Sequence, residues 1–108
     1  TGERTCFHRG ELDPGAPHET LPALERTLRE RARERPAGSY TVELLDNPRR
    51  IGEKVMEEAE EVVRAAREEG DERVSEEAAD LVYHLLVLLH SRGCSLSDAE
   101  RVLDERRS

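Results

Sequence analysis

The run Leu81-Val82-Tyr83-His84-Leu85-Leu86-Val87-Leu88-Leu89 constrains the fold of this chain more than any other stretch. It is apolar nearly all round, and a helix of that kind needs cover on every side. The rest of the chain has little to cover it with: of its 108 residues 39% are charged, 35% hydrophobic and 3% aromatic. A core made mainly of Leu, Val and Ala suits helices packed about this central one. Runs of β-branched and aromatic residues, which a closed β structure needs, are missing.

Carboxylates stand at the head of the apolar run. Glu77 and Asp80 are three residues apart, and Glu58 and Glu61 repeat that spacing upstream. On helices such residues are neighbours, with Cβ atoms roughly 5–6 Å apart. Four clustered carboxylates repel one another unless a cation lies between them, and magnesium binds through carboxylates, water and phosphates. In a chain this charged the same spacing also arises on a solvated face, so both readings stand. Two features favour a site. Taking Ile51, Val55, Ala59, Val62 and Ala66 as one apolar stripe puts Glu58 at its edge, whereas Glu57 and Glu60 point away. Glu77 and Asp80 lead into a core helix, where carboxylates are rarely unpaired.

Lys54 is the only lysine, one turn before Glu58 in a chain whose other cations are arginines. It reads as a selected contact or as an ordinary surface lysine. His84, one turn beyond Asp80, reads as a ligand, as the partner of a ligand, or as a hydrogen-bonded core or interface histidine. Tyr83 reads as core.

In chain order, residues 1–18 carry Gly10, Pro14, Gly15 and Pro17 without periodicity and read as an arm or linker; residues 19–108 read as one α-helical domain. Thr20 is the expected N-cap of a first helix with Pro22 in its first turn and Leu21, Leu24, Leu28 and Ala32 on its apolar edge. Pro36 and Gly38 stop it near Arg35. Ser39 to Leu45 reads as a short helix capped by Ser39, with a strand as the rival. Asn47-Pro48 opens a long helix that runs to about Glu69 and ends at Gly70. Asp71 to Ser75 reads as a polar turn, or as helix already. The apolar helix then reaches Ser91 or Arg92, with Gly93 as its cap. Ser95 caps a last helix whose face is Leu96, Ala99, Val102 and Leu103. The expectation is an all-α bundle of four to five helices.

Several functions are excluded or disfavoured. A net charge of −8 leaves no basic stripe for nucleic acid or a membrane surface. No stretch is long and apolar enough to span a bilayer, and no signal-peptide pattern opens the chain. Cys6 and Cys94 lack CxxC spacing; a disulfide stays open, but a reduced, cytoplasmic protein is the expectation. A Gly-rich phosphate loop, a Ser/His/Asp constellation and HExxH are all missing.

Glu58-x-x-Glu61 followed by Glu77-x-x-Asp80 resembles the paired acidic motif of the all-α nucleotide pyrophosphohydrolases, the MazG-like superfamily. The words Ser39-Tyr40-Thr41-x-x-Leu44-Leu45, Lys54-Val55-x-Glu57-Glu58-x-x-Glu61-Val62-Val63, Glu77-Ala78-Ala79-Asp80-Leu81-x-Tyr83-His84 and Arg92-Gly93-x-Ser95-Leu96 more closely resemble phosphoribosyl-ATP pyrophosphohydrolases, over roughly Leu21 to Arg106. This resemblance implies Mg²⁺-dependent hydrolysis of phosphoribosyl-ATP to phosphoribosyl-AMP and pyrophosphate in histidine biosynthesis. It assigns Glu58, Glu61, Glu77 and Asp80 to the metal and leaves the general base open among these and Glu57. Lys54 would contact phosphate, Arg49 and Arg50 would add cationic contacts or stay in solvent, and Ser39, Tyr40 and Thr41 would line the nucleotide or ribose pocket. Helix capping explains Ser39 without a ligand.

Thr1-Gly2-Glu3-Arg4-Thr5-Cys6-Phe7-His8-Arg9 is similar to the end of phosphoribosyl-AMP cyclohydrolases, where Cys6 matches a zinc-binding cysteine. The expectation is an excised half of a fusion of the two enzymes. The superfamily commonly pairs subunits, and the all-round apolar helix independently needs more cover, so a homodimer is expected. Leu85, Leu88 and Leu89 should then lie near the central packing or the subunit contact. The rival functions are a housekeeping pyrophosphohydrolase of dUTP, dCTP or noncanonical triphosphates, and a non-catalytic helical dimerisation module.

Overall fold

Local signals set most of the helix ends. The computed structural model describes residues 19–107, which form five α-helices: α1 (Thr20–Glu34), α2 (Tyr40–Leu45), α3 (Pro48–Glu68), α4 (Asp71–Ser91) and α5 (Leu96–Arg107). There is no strand among the described residues, so the strand reading of 39–45 falls. Ser39 decides that segment: its Oγ accepts the Val42 N–H at 3.3 Å, satisfying a donor that a helix start leaves open. Asn47 does the same for Arg50 N–H at 3.4 Å, and Pro48 follows at the first helical position. At the end of α4, Cys94 N–H donates to Leu89 O and Gly93 N–H to His90 O, a Schellman closure with Gly93 at φ 75°. Ser95 and Asp98 cap α5 reciprocally: Ser95 N–H donates to Asp98 Oδ2 at 2.9 Å and Asp98 N–H to Ser95 Oγ at 3.3 Å.

One expected end moves. Thr20 is the first helical residue rather than the cap, and Glu19 in the cap position makes no side-chain bond. Of the two readings of Asp71 to Ser75, the helical one holds, because Gly70 takes φ 124°, a conformation open to glycine, and reverses the chain at once. Asp71 and Glu72 then sit in the first turn of α4, where the helix dipole favours anions.

With only Glu69 and Gly70 between them, α3 and α4 run antiparallel, and their contact dominates the molecule. Each has 21 residues, about 30 Å of helix. The buried line of α3 is Ile51, Glu58 and Ala65, each seven residues from the next. Glu58 therefore lies in the seam, not at the edge of a stripe; Ala66 is exposed, and Val55, Ala59 and Val62 are only half-buried. Facing it, α4 buries Glu77, Tyr83, His84, Leu86 and Val87. The apolar core is Leu24, Leu28, Leu44, Ile51, Tyr83, Leu86 and Val87, so α1 and α2 cover one end of the hairpin. α5 buries no residue; Leu96 and Ala99 are half-buried, while Val102 and Leu103 of the expected face are exposed. A charged clasp holds its start, where Leu96 N–H donates to Glu25 Oε2 of α1 at 2.7 Å.

Candidate active site

Carboxylates interrupt the buried seam of α3 and α4 near its middle, with buried Ile51 on one side of Glu58 and buried Ala65 on the other. Glu58 of α3 meets Glu77 and Asp80 of α4, and one oxygen from each lies within 4.8 Å of the other two. Glu58 and Glu77 are buried and Asp80 half-buried. Three helical facts make this convergence. Glu77 and Asp80 share a face by their i,i+3 spacing, Glu58 lies on the α3 line turned towards α4, and Gly70 sets the register between the helices.

A cleft of about 440 Å³ opens over the three carboxylates, lined by Tyr40, Arg50, Lys54, Glu57, Glu58, Glu61, Arg73, Glu77, Asp80 and His84. Cations balance part of its charge. Lys54 Nζ lies 3.4 Å from Glu58 Oε2 and 3.3 Å from Glu57 Oε1, and Arg50 reaches Glu57 at 3.7 Å. Arg73 forks between Glu76 and Glu77 and also donates to Glu69 through Nε at 3.2 Å. Burial pushes the Glu58 carboxyl above the usual range, and Asp80 and Glu77 add to that shift against the opposing pull of Lys54. Burial works against the Lys54 ammonium, yet its hydrogen bonds to Glu57 and Glu58 and its attraction to Tyr40 and Glu58 leave its pKa raised. A buried carboxyl whose charge is resisted, next to like charges and open to a cleft, is the chemistry of a cation site.

Two polar links clamp α2 to α4 beside the carboxylates. Tyr40 Oη lies 2.8 Å from His84 Nε2, and Thr41 Oγ1 lies 2.5 Å from Tyr83 Oη. His84 Nδ1 is 2.7 Å from the Asp80 carbonyl oxygen, so the imidazole is the hydrogen-bonded buried kind rather than a ligand. Burial lowers its pKa.

The expected residues thus separate. Glu58, Glu77 and Asp80 converge. Glu61 lines the cleft outside that group and pairs with Arg64 at 3.2 Å, and Glu57 stands on the rim with Lys54 and Arg50. Tyr40 reaches the cleft, whereas Ser39 caps α2 and Thr41 is buried against Tyr83. Arg49 is exposed and is not in the cleft lining. Arg73 was not anticipated. Its signal was present in the spacing Glu69, Arg73, Glu77, which puts three charges on one face at i,i+4. The Cys6 segment lies outside the described residues.

Fold and site define an all-α protein with a trio of carboxylates at a helix–helix seam, ringed by arginine and lysine. The chain belongs to the phosphoribosyl-ATP pyrophosphohydrolase family, which it matches over residues 21–107. It is 50% identical over 88 residues to a phosphoribosyl-ATP pyrophosphatase of Pyrobaculum arsenaticum, covering 81% of this chain and 94% of the relative. It is 45% identical over 106 residues to a histidine biosynthesis bifunctional protein, HisIE, of Xylella fastidiosa, and 40% over 111 residues to the protein of that name in Bacillus subtilis. These two alignments cover 97% and 100% of this chain but 48% and 53% of the relatives, so the chain spans about half their length.

Proposed function

We propose that this chain hydrolyses phosphoribosyl-ATP to phosphoribosyl-AMP and pyrophosphate with Mg²⁺. The observation that carries this reading is the convergence of Glu58, Glu77 and Asp80 within 4.8 Å under a cleft that also presents Lys54, Arg50 and Arg73. Family membership and the name of the Pyrobaculum relative support it. An all-oxygen, anionic donor set suits a hard divalent ion, so the residues present fit Mg²⁺. Glu58, Glu77 and Asp80 would hold it, with Glu61 on the same cleft wall. When bound, the ion neutralises polyphosphate charge and polarises the attacking water.

The chain's own residues supply the rest. Lys54 and Arg50 bring positive charge to the cleft wall, where phosphate oxygens gain charge as the anhydride bond breaks. Glu57 and Glu61 line the cleft outside the trio and are the carboxylates left to take the proton of the attacking water. The new bond joins the water oxygen to phosphorus, the P–O–P anhydride bond breaks, and pyrophosphate leaves. Arg73 offsets the charge of Glu77 and Glu76, which lowers the cost of gathering so many carboxylates.

The bifunctional relatives, whose alignments extend across nearly the whole chain, support the biosynthetic context and a fusion as the source of this chain. A homodimer is supported by apolar surface left uncovered: Met56 is 71% exposed, Val63 53% and Leu85 42%. Met56, Ala59 and Val63 line a groove of about 380 Å³ along α3, bordered by Glu60, Arg64 and Arg67. A second copy is the occupant this reading assigns.

Pyrophosphate release from phosphoribosyl-ATP, measured with Mg²⁺ and after its removal, tests the reading. Release confined to Mg²⁺ and to phosphoribosyl-ATP is expected. Equal or faster release from dUTP, dCTP or other free triphosphates would replace it with the housekeeping activity, and no release from any of them with a non-catalytic module.

A further inference from the structure

Arg73 links the turn between α3 and α4 to the carboxylate trio. Its Nε donates to Glu69 at 3.2 Å, its Nη1 to Glu76 and its Nη2 to Glu77 Oε2. Glu69 caps the C-terminus of α3, whereas Glu76 and Glu77 lie on α4, so one side chain ties the turn to the site. Each nitrogen of the planar guanidinium meets a different carboxylate, which fixes the fork in a way an ammonium could not be fixed. A group so held serves the protein's own anions before it serves a phosphate.

Glu77 is a member of the trio that needs such a hold. It is buried, and it brings an oxygen within 4.8 Å of oxygens on Glu58 and Asp80, whose charges repel it. Its long side chain has other rotamers through which to turn from them. Arg73 engages Oε2, and a carboxylate carries about four lone-pair sites, so acceptor capacity for a cation remains.

Exposure separates what Arg73 does by charge from what it does by geometry. Its side chain is 43% exposed, so water screens the charge, whereas that of Glu77 is 10% exposed. A screened charge does little for or against a bound ion. A directional, charge-assisted bond to a buried carboxylate still selects its rotamer.

We infer that Arg73, pinned by Glu69 and Glu76, is a positioning residue that holds Glu77 in its ligating orientation and so sets the preference of the cleft for Mg²⁺ over Ca²⁺. Mg²⁺ demands near-ideal octahedral geometry, whereas Ca²⁺ accepts flexible and varied shells, so a fixed carboxylate matters more to Mg²⁺. This inference rests on the reading of the trio as a divalent-cation site.

Thermal melting of the full chain across Mg²⁺ and, separately, Ca²⁺ concentrations gives a midpoint of stabilisation for each ion. Wild type is compared with Arg73→Met, which loses both charge and fork, and with Arg73→Lys, which loses only the fork. The two ions carry the same charge, so a change of local charge moves both midpoints alike, while lost orientation falls on Mg²⁺. Arg73→Met should raise the Mg²⁺ midpoint by about 10-fold or more and the Ca²⁺ midpoint far less. Arg73→Lys should shift the ratio of the two midpoints in the same direction. If Arg73 acts by charge alone, Arg73→Lys matches wild type and Arg73→Met lowers both midpoints equally, which overturns the proposal. Should Arg73→Met fail to fold, as judged by circular dichroism without cations, the ratio in Arg73→Lys decides, and an unchanged ratio overturns the proposal. Wild type that neither ion stabilises sinks the cation-site reading, and this inference with it; wild type that both ions stabilise, with variants of unchanged ratio, sinks this inference alone.

Discussion

If the proposed function holds, Glu58 sets stability against activity. Its carboxyl is buried beside Glu77 and Asp80, and its raised pKa means the folded chain resists its charge. Above the usual carboxylate value near 4.5 the unfolded chain ionises more readily, so this group costs stability as pH rises through its raised folded value. Glu58→Gln keeps the shape and removes the charge. At pH 7 without divalent ions it should therefore melt at or above the wild-type temperature, while losing about 100-fold or more in kcat, the scale of a lost metal ligand. Differential scanning calorimetry and pyrophosphate release check the two halves; a variant that melts lower and turns over normally would remove Glu58 from the site. His84 has the opposite sign. Its imidazole takes a proton near pH 6.5 when unfolded and only at lower pH when folded. Between those values the unfolded chain binds more protons, so the stability from burying neutral His84 is complete above pH 6.5 and is lost as pH falls through the window. Denaturant titrations from pH 7.5 to 5 should show a decline that His84→Gln flattens.

Helices α3 and α4 place the site, and the two residues between them fix their register. Gly70 at φ 124° and ψ 170° occupies a conformation that side chains avoid, and an added Cβ would meet nothing within 4 Å. Gly70→Ala thus isolates backbone strain from clash and should cost about 1–3 kcal/mol in urea unfolding. Because the same turn aligns Glu58 with Glu77, the proposed stabilisation by Mg²⁺ should weaken with it. The element least tied to the rest is α5, with no buried residue and Glu25 holding its first N–H. Glu25→Ala removes a charge-assisted bond worth about 1.5–3 kcal/mol. Amide exchange over residues 96–107 should accelerate by about 10-fold or more while α3 and α4 keep their protection. Unchanged exchange there would mean that half-buried Leu96 and Ala99 hold α5 by themselves.

At the scale of the molecule, one end of the α3–α4 hairpin is covered by α1 and α2, and apolar side chains of α3, α4 and α5 remain exposed. The proposed dimer covers Met56, Val63 and Leu85. Val63→Glu, which leaves the carboxylate seam untouched, should convert a dimer to a monomer in sedimentation equilibrium. A wild-type monomer at micromolar concentration would overturn the assignment.

Much of this architecture was legible from residue order, because caps and periodicity are local. Ser39, Asn47-Pro48, Gly93 and Ser95 each satisfy backbone groups within a few residues of themselves, and the apolar run could only be a central helix. The acidic i,i+3 pairs were equally plain, since a single helix imposes that proximity. What the linear chain left open is everything that depends on how two helices face each other. Rotation of α3 against α4 placed Glu58 in the seam and turned Ala66 out to solvent, drew three of the four expected ligands together, and left Glu61 to one side. Contacts between residues far apart in sequence, such as Tyr40 with His84, Thr41 with Tyr83 and Glu25 with Leu96, leave no mark on local pattern, so only the packed structure could decide which polar groups found each other.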